Sequence, residues 1–460
     1  MARLHTLAEW IERVESRQTH IAIIGLGYVG LPLTLLFSEA GFHVTGFDID
    51  QKKVGSLNDG ISYIHRIPSA DIAAARAAGF TATTDFALLQ DCDAVLICVP
   101  TPLGVGTEHE HEPDLSYVQS TVEAVAPHTH PGQLIVLEST TYPGTTTELV
   151  LPILERLGPT PVHRETAKEA VISAGDSSVS APLSTHCLLA FSPEREDPGN
   201  TTTPRHAIPK VVGGTSPTAT AAAAALYGAI FDRTVSMSSP DAAEMTKLLE
   251  NIYRSVNIAL VNELKQLCLA MGIDIWEVID AASTKPFGFQ PFYPGPGIGG
   301  HCIPVDPFYL SWRAKQFNQP TRFIELAGEV NESMPAFVVE TIRKALGSLE
   351  GKRVLILGIA YKRDVDDLRE SPALTLFGLL QHAGAHVAYN DPYFPQVGIG
   401  RHYALQTAST PLTEVPTFDC VLLATDHSAY DIPALVAASK LFIDTRNATR
   451  GLTAPNIIRC

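Results

Sequence analysis

The segment FYPGPGIGGHCIPVDPFYL, residues 292–310, surrounds one cysteine with glycine and proline. Four glycines stand in the seven residues before Cys302, and two prolines and Asp306 follow it. Glycine removes side-chain bulk and proline stiffens the backbone, which suits a thiol that must meet a large ligand. Because the pKa of free cysteine is about 8.5, the thiol needs neighbouring groups to become a nucleophilic thiolate at neutral pH. The segment predicts a reactive cysteine, and an inert cysteine is the alternative.

Three polar residues could assist this thiol. Lys247 and Asn251 lie four residues apart on a predicted helix and share one face, and Asp306 follows Cys302 by four residues. A lysine ammonium or an asparagine amide can stabilise an oxyanion, and an aspartate can orient a water molecule. The alternative is that the two helix residues belong to a solvated face. His301 has no second His–Cys pair at zinc spacing, so we expect no metal site.

A glycine pattern near the N-terminus predicts a dinucleotide site. Residues 20–50, HIAIIGLGYVGLPLTLLFSEAGFHVTGFDID, have the pattern of strand, turn, helix and strand. Gly25, Gly27 and Gly30 match G-x-G-x-x-G, and Asp48 at the end of the second strand can accept hydrogen bonds from a ribose diol. The acid favours NAD over NADP, and a glycine-rich turn in some other α/β protein is the alternative.

The chain divides into three predicted blocks that must position these groups: residues 1–213, 214–330 and 331–460. In the first block, further apolar strands end in loops rich in Thr, Pro and Gly, where open parallel sheets bind ligands. These strands fall within residues 92–102, 133–146 and 187–197.

A long helix is predicted in the second block. It begins with a serine cap and Pro240 and runs without a break to Gly272. About 30 residues would span about 45 Å, enough to bridge two domains and to offer a face to a second subunit. The third block predicts a second doubly wound sheet whose first turn keeps Gly358 and carries three cations, Lys362, Arg363 and Arg369. The predicted fold class is therefore α/β, with two Rossmann-like doubly wound parallel-sheet domains joined by a long central helix and a helical middle domain.

Composition narrows the possible functions. The chain has 460 residues, 45% of them hydrophobic and 18% charged, and a formal net charge of −16. It has no long basic runs, so we expect no nucleic-acid partner. It also lacks an apolar run of about 18–20 residues and a secretory signal, so we expect no membrane partner. Seven cysteines without paired spacing favour a reducing cytoplasm.

Seven motifs, in order along all three blocks, resemble the UDP-glucose/GDP-mannose dehydrogenase family: GLGYVGLP, VPTP, ESTTYPGTT, FSPER, EMTKLLEN, GPGIGGHCIPVDP and YKRDVDDLRESP. Within the family, STKPFGFQPFYPGPGIGGHCIPVDPFYL resembles the branch that acts on UDP-N-acetylglucosamine, whereas UDP-glucose enzymes usually carry GFGGSCF-x-KD. The resemblance implies an NAD-dependent four-electron oxidation of the sugar C6 hydroxymethyl group to a carboxylate, and a role in surface polysaccharide synthesis.

The resemblance also implies roles for individual residues. Cys302 would be the nucleophile, Lys247 and Asn251 would hold the oxyanion, and Asp306 would assist base chemistry through water. Further positions match catalytic, NAD-binding and substrate-binding sites. Thr140 and Glu194 match catalytic positions. The cofactor contacts would be Gly25, Gly27, Tyr28, Val29, Gly30, Asp48, Lys53, Pro100, Thr101, Thr140 and Arg369. The substrate contacts would be Glu194, Arg195, Lys247, Asn251, Tyr293, Gly299 and Lys362.

One position departs from the family pattern. The family often has a second glutamate four residues after the first, and here that position is Pro198. Glu194 or Glu196 could substitute for it.

The thiol gives the implied reaction a chemical reason. Addition of the Cys302 thiolate to an aldehyde gives a thiohemiacetal, which can lose a second hydride to form a thioester that water hydrolyses. We also expect the glycines before Cys302 to make room for the pyranose ring, and the long helix to form a homodimer or a higher homo-oligomer.

Other functions remain open at the level of sequence. They are a UDP-glucose or UDP-N-acetylmannosamine 6-dehydrogenase, a two-electron hydroxy-acid dehydrogenase that needs no thiol, and a non-catalytic NAD-binding protein.

Overall fold

The computed structural model describes residues 6–64, 66–104, 112–164, 183–195, 203–300, 303–399 and 404–460. The chain divides into two compact units, Met1–Leu249 and Glu250–Cys460. Four residues discussed above lie outside the described ranges: Glu196, Pro198, His301 and Cys302.

The first unit is built on one large sheet. Its strands are β1 His20–Ile24, β2 His43–Phe47, β3 Thr81–Thr83, β4 Ala94–Ile97, β5 Leu134–Leu137, β6 Leu188–Phe191, β7 Lys210–Gly214 and β8 Thr234–Ser236. They lie in the order β3-β2-β1-β4-β5-β6-β7-β8, and neighbours are parallel except β6 and β7. Strands β1, β4, β5 and β6 are buried along their whole length, as expected of a parallel sheet covered on both faces.

Helices cover this sheet on both sides. Alternate residues of β1 enter two different hydrophobic clusters, one containing Ile23, Phe37 and Tyr227, the other containing Ile24 and Leu154. This alternation is the period of two that a strand requires. The helices are α1 Leu7–Glu15, α2 Gly30–Glu39, α3 Gln51–Asn58, α4 Ser69–Ala77, α5 Ser116–Val125, α6 Leu151–Leu157 and α7 Pro217–Gly228.

The predicted long helix is confirmed as α8, Pro240–Met271, with 32 residues. At its start the Ser239 hydroxyl accepts a hydrogen bond from the Ala242 N–H at 3.2 Å, as a cap does. It ends before Gly272, whose φ of +70° is a conformation that favours glycine after a helix. The helix begins in the first unit and continues into the second.

The second unit combines helices with a second sheet. Its helices are α9 Ile275–Ser283, α10 Asp306–Lys315, α11 Arg322–Leu346, α12 Pro372–His382 and α13 Ile432–Ala438. Its strands are β9 Arg353–Leu357, β10 His386–Asn390, β11 Gln396–Ile399, β12 Ala404–Ala408, β13 Cys420–Leu423, β14 Phe442–Asp444 and β15 Ile457–Arg459. A parallel sheet has the order β10-β9-β13-β14-β15, and β11 and β12 form a separate antiparallel pair.

The predicted fold class is confirmed, because each unit contains a doubly wound sheet that is parallel throughout in the second unit and parallel except for the β6–β7 pair in the first. Helices cover both faces of each sheet, and α8 runs on from the first unit into the second. Among the described residues, no helix has both the length and the hydropathy needed to cross a bilayer.

Candidate active site

The glycine fingerprint forms the turn between β1 and α2. Gly25 has a φ of +89°, and a Cβ there would lie 2.8 Å from the Cys98 carbonyl oxygen. A Cβ on Gly30 would lie 2.0 Å from the Gly25 carbonyl oxygen, whereas one on Gly27 would meet no atom within 4 Å. The turn is therefore tight and leaves open space at Gly27, which fits a pyrophosphate at the α2 N-terminus. Two further predicted contacts in this turn are half-buried, Tyr28 and Val29.

The carboxylate of Asp48 is fixed at the end of β2, next to that turn. It accepts hydrogen bonds from the N–H groups of Leu26 and Asp50, both at 3.0 Å, and Lys53 Nζ lies 3.6 Å from it. Tyr63 was not predicted, and it donates its hydroxyl to the Leu26 carbonyl. Burial and the nearby Asp48 charge raise the pKa of Tyr63, so it stays a donor. The acid predicted to bind ribose is thus held beside the glycine turn.

The ends of β4 and β5 are tied together. The Thr101 hydroxyl donates to the Thr140 carbonyl oxygen at 2.8 Å, and Pro100 before it is exposed. The backbone carbonyl of Thr140 is thereby held next to Pro100 and Thr101, two of the predicted cofactor contacts. Its neighbour Thr141, which was not predicted, has a fully buried hydroxyl with no hydrogen-bond partner in the described part of the chain. A buried hydroxyl without a partner is a candidate to contact a ligand.

Glu194 and Arg195 follow β6. The Arg195 N–H donates to Glu194 Oε1 at 3.0 Å, and Arg195 Nη1 donates to the Pro209 carbonyl at 2.6 Å. Both side chains are half-buried. The structure therefore places this predicted pair at the same sheet edge as Thr140.

A buried ion pair contacts the backbone next to Glu194. Lys210 Nζ donates to Glu138 Oε2 at 2.6 Å and to the Pro193 carbonyl at 3.1 Å, and the Tyr227 hydroxyl donates to Glu138. Burial favours neutral lysine, but the charges of Glu138 and Glu194 outweigh it and raise the pKa of Lys210. Because Pro193 directly precedes Glu194, the ion pair fixes the backbone that carries the predicted acid. Nothing local in the sequence indicates this contact.

Glu244, on the first turns of α8, holds the loop that follows Thr141. Its carboxylate accepts from the Gly144 N–H at 2.7 Å, the Thr146 N–H at 2.9 Å and the Thr146 hydroxyl at 2.7 Å. Burial outweighs these donors and raises the pKa of Glu244 to about 7. A serine- and threonine-rich loop is thus bonded to the helix that carries Lys247.

Asn251 and Asp306, two of the predicted catalytic residues, are brought together. Asn251 Nδ2 donates to Asp306 Oδ2 at 2.5 Å, and both side chains are buried. Asp306 is the first residue of α10, where the positive end of the helix dipole favours a carboxylate. Lys247 is also buried, one helical turn before Asn251 on α8. Cys302 lies outside the described residues, four positions before Asp306.

The glycines before Cys302 are close to protein atoms. A Cβ on Gly297 would lie 3.0 Å from Pro372 Cβ, and one on Gly299 would lie 2.6 Å from Tyr361 Cβ. A Cβ on Gly300 would lie 3.0 Å from the Tyr361 ring. The structure adds a reason that the sequence did not give, since Pro372 at the start of α12 and Tyr361 in the preceding loop fill the space that these side chains would need. That the same glycines also make room for a pyranose ring stays a prediction.

The remaining predicted residues lie in the second unit. Lys362 is half-buried in the loop between β9 and α12. Arg369 in the same loop pairs with Asp367, with Nη2 and Oδ2 2.6 Å apart. Tyr293 is exposed and donates its hydroxyl to Asp280 at 2.8 Å, a bond that raises its pKa. That bond joins Tyr293 to α9, and no hydrogen bond described for it reaches another predicted site residue.

Comparison with known families accounts for most of the chain. Models of the UDP-glucose/GDP-mannose dehydrogenase family match in all three of its domains. The NAD binding domain matches residues 19–231, the central domain 241–333 and the UDP binding domain 355–451. The chain belongs to this family. It is therefore an NAD-dependent oxidoreductase of the nucleotide-sugar dehydrogenase type, as predicted.

Individual relatives of this dehydrogenase differ in the sugar named. A UDP-N-acetyl-D-mannosamine dehydrogenase of Escherichia coli is 32% identical over 423 residues, covering 90% of this chain and 94% of the relative. A UDP-N-acetyl-D-glucosamine 6-dehydrogenase of Pseudomonas aeruginosa is 32% identical over 415 residues, covering 89% and 91%. The solved structure of a UDP-D-ManNAc dehydrogenase from Pyrococcus horikoshii matches with a TM-score of 0.81 and 30% identity, covering 95% and 97%.

The arrangement of this dehydrogenase suits the binding of NAD at the first sheet. The residues that would hold it are the glycine turn and Asp48, and the open space at Gly27 meets the steric requirement of a pyrophosphate. In the described parts of the chain, no group of three or more His, Cys, Asp or Glu side chains has the arrangement of a metal site.

Proposed function

We propose that this chain oxidises the C6 hydroxymethyl group of UDP-N-acetylglucosamine to a carboxylate in two steps. The observation that carries the proposal is the contact between Asn251 and Asp306. It puts an amide donor and a buried carboxylate together at the start of the helix that directly follows the Cys302 segment. The Pseudomonas aeruginosa relative supports the choice of sugar through the name it carries.

The roles of the chain's residues follow from this arrangement. NAD, when bound, supplies a hydride acceptor for each oxidation. A water molecule held by Asp306 takes the proton of the C6 hydroxyl, and Cys302 Sγ then attacks the resulting aldehyde carbon. The Asn251 amide and the Lys247 ammonium donate to the oxyanion that forms. After the second oxidation, water attacks the thioester carbon, the C–S bond breaks, and the thiolate leaves as the acid forms.

UDP-N-acetylmannosamine is the second candidate substrate. The Escherichia coli relative and the Pyrococcus horikoshii structure both carry that sugar in their names. Purified enzyme is to be given NAD with UDP-GlcNAc, UDP-ManNAc, UDP-GalNAc and UDP-Glc in parallel. The proposal expects the highest kcat/KM with UDP-GlcNAc. A higher kcat/KM with UDP-ManNAc would show that UDP-ManNAc is the substrate and would not contradict the proposed mechanism.

The covalent mechanism has its own test in Cys302→Ser. The native enzyme should yield two NADH for each sugar and release the acid, whereas the serine variant should release no acid, because serine lacks a thiolate's nucleophilicity at neutral pH. Cys268→Ser, which changes a half-buried thiol on α8, is the matched control and should behave as wild type. Full acid yield from Cys302→Ser would contradict the mechanism.

We also propose the domain roles expected from the sequence. Residues 1–213 bind NAD, residues 214–330 form the helical domain with the cysteine loop and the dimer contact, and residues 331–460 bind the UDP-sugar. The three matched family domains support this order. A cytoplasmic location and a role in surface polysaccharide synthesis stay predictions from the sequence.

An apolar stripe on α8 supports a homodimer. The stripe consists of exposed side chains spaced by seven, four, three and four residues, as on one helix face. They are Tyr253, Leu260, Leu264, Leu267 and Met271. Leu260 and Leu267 are each 54% exposed, and we propose that a second copy covers them. Leu260→Glu should convert a dimer to monomer in sedimentation velocity, and a monomeric wild type would contradict the proposal.

A further inference from the structure

Lys362 lies in a loop whose backbone is held by hydrogen bonds at the residues just before the lysine. Asp391 directly follows β10, and its Oδ2 accepts from the Ile359 N–H at 2.7 Å and the Ala360 N–H at 3.1 Å. Burial alone would raise the pKa of Asp391, but a hydrogen bond from a histidine and backbone N–H donors, that of Ala360 among them, lower it. A buried, charged aspartate therefore fixes the chain two residues before Lys362.

The histidine is His427, and it holds the same loop on the C-terminal side. The Asp364 N–H donates to His427 Nδ1 at 3.0 Å, and His427 Nε2 lies 3.1 Å from Asp391 Oδ2. Because a backbone N–H can only donate, Nδ1 is the acceptor and Nε2 carries the hydrogen that bonds to Asp391. The imidazole is buried, with the rings of Tyr393 and Tyr430 at centroid distances of 5.1 and 5.7 Å. One side chain thus connects, through Asp391, the backbone two residues before Lys362 with the backbone two residues after it.

Asp364, two residues after Lys362 in the same loop, is strained and is held at several atoms. Asp364 has a φ of +56°, a conformation that is unfavourable for a residue with a Cβ. Its carboxylate accepts from the Ser428 N–H at 2.8 Å and from the Ser428 hydroxyl. Arg363 Nη1 pairs with Asp426 at 3.0 Å. The segment around His427 therefore determines the backbone course on this side of Lys362.

The same loop contacts the segment that leads to Cys302. Tyr361 lies against Gly299 and Gly300, and the Gly300 N–H donates to the Arg369 carbonyl at 2.9 Å. A change in the course of the loop would therefore also move the chain two residues before the thiol.

We propose that His427 is a positioning residue for the nucleotide end of the substrate site. It joins Asp391 to the Asp364 N–H and so fixes the backbone on both sides of Lys362. This inference rests on the proposed function, in which Lys362 contacts the UDP-sugar. His427 itself does not contact the substrate.

The test compares UDP binding with NAD binding in the full-length protein, by calorimetry. His427→Leu removes both the acceptor and the donor, whereas His427→Asn keeps an acceptor near the position of Nδ1. We expect His427→Leu to weaken UDP binding at least tenfold, because the Asp364 N–H and Asp391 Oδ2 each lose a hydrogen-bond partner and the backbone around Lys362 can leave the conformation that binds the substrate. The Kd for NAD should change less than twofold, and His427→Asn should fall between wild type and His427→Leu for UDP.

A structural control separates positioning from loss of stability. Asn456→Ala removes two hydrogen bonds to the Val436 and Ser439 carbonyls, elsewhere in the same unit. It should lower the Tm without changing the Kd for UDP. If His427→Leu and His427→Asn both bind UDP as wild type does, the inference is overturned. An equal loss of UDP binding in Asn456→Ala would also overturn it, because general destabilisation would then suffice.

Lys362→Ala distinguishes this inference from the proposed function. Weak UDP binding by Lys362→Ala, together with normal binding by the His427 variants, would overturn only the positioning role. Normal UDP binding by Lys362→Ala would contradict the substrate contact itself and overturn both.

Discussion

Glu244 should make the stability of this protein fall as the pH rises from 5 to 8. Its carboxyl group is fully buried, and burial raises its pKa from 4.5 to about 7 in spite of three hydrogen-bond donors. The folded state therefore binds the proton more tightly than the unfolded state does. The resulting stabilisation is fully present below the unfolded pKa and is lost as the pH rises through the folded pKa.

The expected size follows from the two pKa values. A difference of about 2.5 pH units, at about 1.4 kcal/mol each, corresponds to about 3 kcal/mol over the whole range. Between pH 5 and 8 the part that can be measured is about 2.5 kcal/mol. Glu244→Gln cannot ionise, so it should lack this contribution to the pH dependence. The amide has only one accepting atom, so its NH₂ must face a backbone N–H of Gly144 or Thr146, at a cost that does not change with pH.

Urea unfolding of wild type and Glu244→Gln at pH 5, 6, 7 and 8 gives the required difference. Circular dichroism and fluorescence should show coincident transitions, so that each free energy of unfolding is well defined. Glu263→Gln, at an exposed position of α8, is the matched control and should leave the profile of wild type unchanged. If the difference between wild type and Glu244→Gln varies by less than about 0.5 kcal/mol from pH 5 to 8, the reasoning is refuted. The three donors would then keep the carboxylate ionised.

Two further predictions concern the first unit. Lys210→Met should lower the free energy of unfolding by about 3–5 kcal/mol, because it leaves the buried Glu138 charge without its partner. Lys210→Met combined with Glu138→Leu should recover most of this loss, as measured by urea unfolding. If the double variant recovers nothing, the broken ion pair is not the cause of the loss. Thr141→Val should keep the free energy of unfolding within about 1 kcal/mol of wild type, because the hydroxyl has no hydrogen-bond partner among the described residues. The same variant should lower kcat about tenfold or more if the hydroxyl contacts the substrate, and an unchanged kcat would exclude that contact.

The sequence by itself determined the features that depend on neighbouring residues. The turn at Gly25 and Gly30, the start of α8 at Pro240 and its end before Gly272 all arise from local sterics and hydrogen bonding. Strand patterns and turn residues repeated in two blocks were sufficient to predict two parallel sheets, because buried strands need continuous apolar runs. The ordered motifs were sufficient to identify the family.

Only the tertiary structure decided which distant side chains meet. Glu138 and Lys210 are 72 residues apart, and His427 lies 63 residues after Asp364, so their contacts depend on strand order. The glycines before Cys302 show the same limit. Sequence indicated that bulk was excluded there, but only the fold showed that Tyr361 occupies the space. The physical reason is that a residue's type restricts its own backbone and its near neighbours, whereas a contact across a sheet depends on how the whole chain packs.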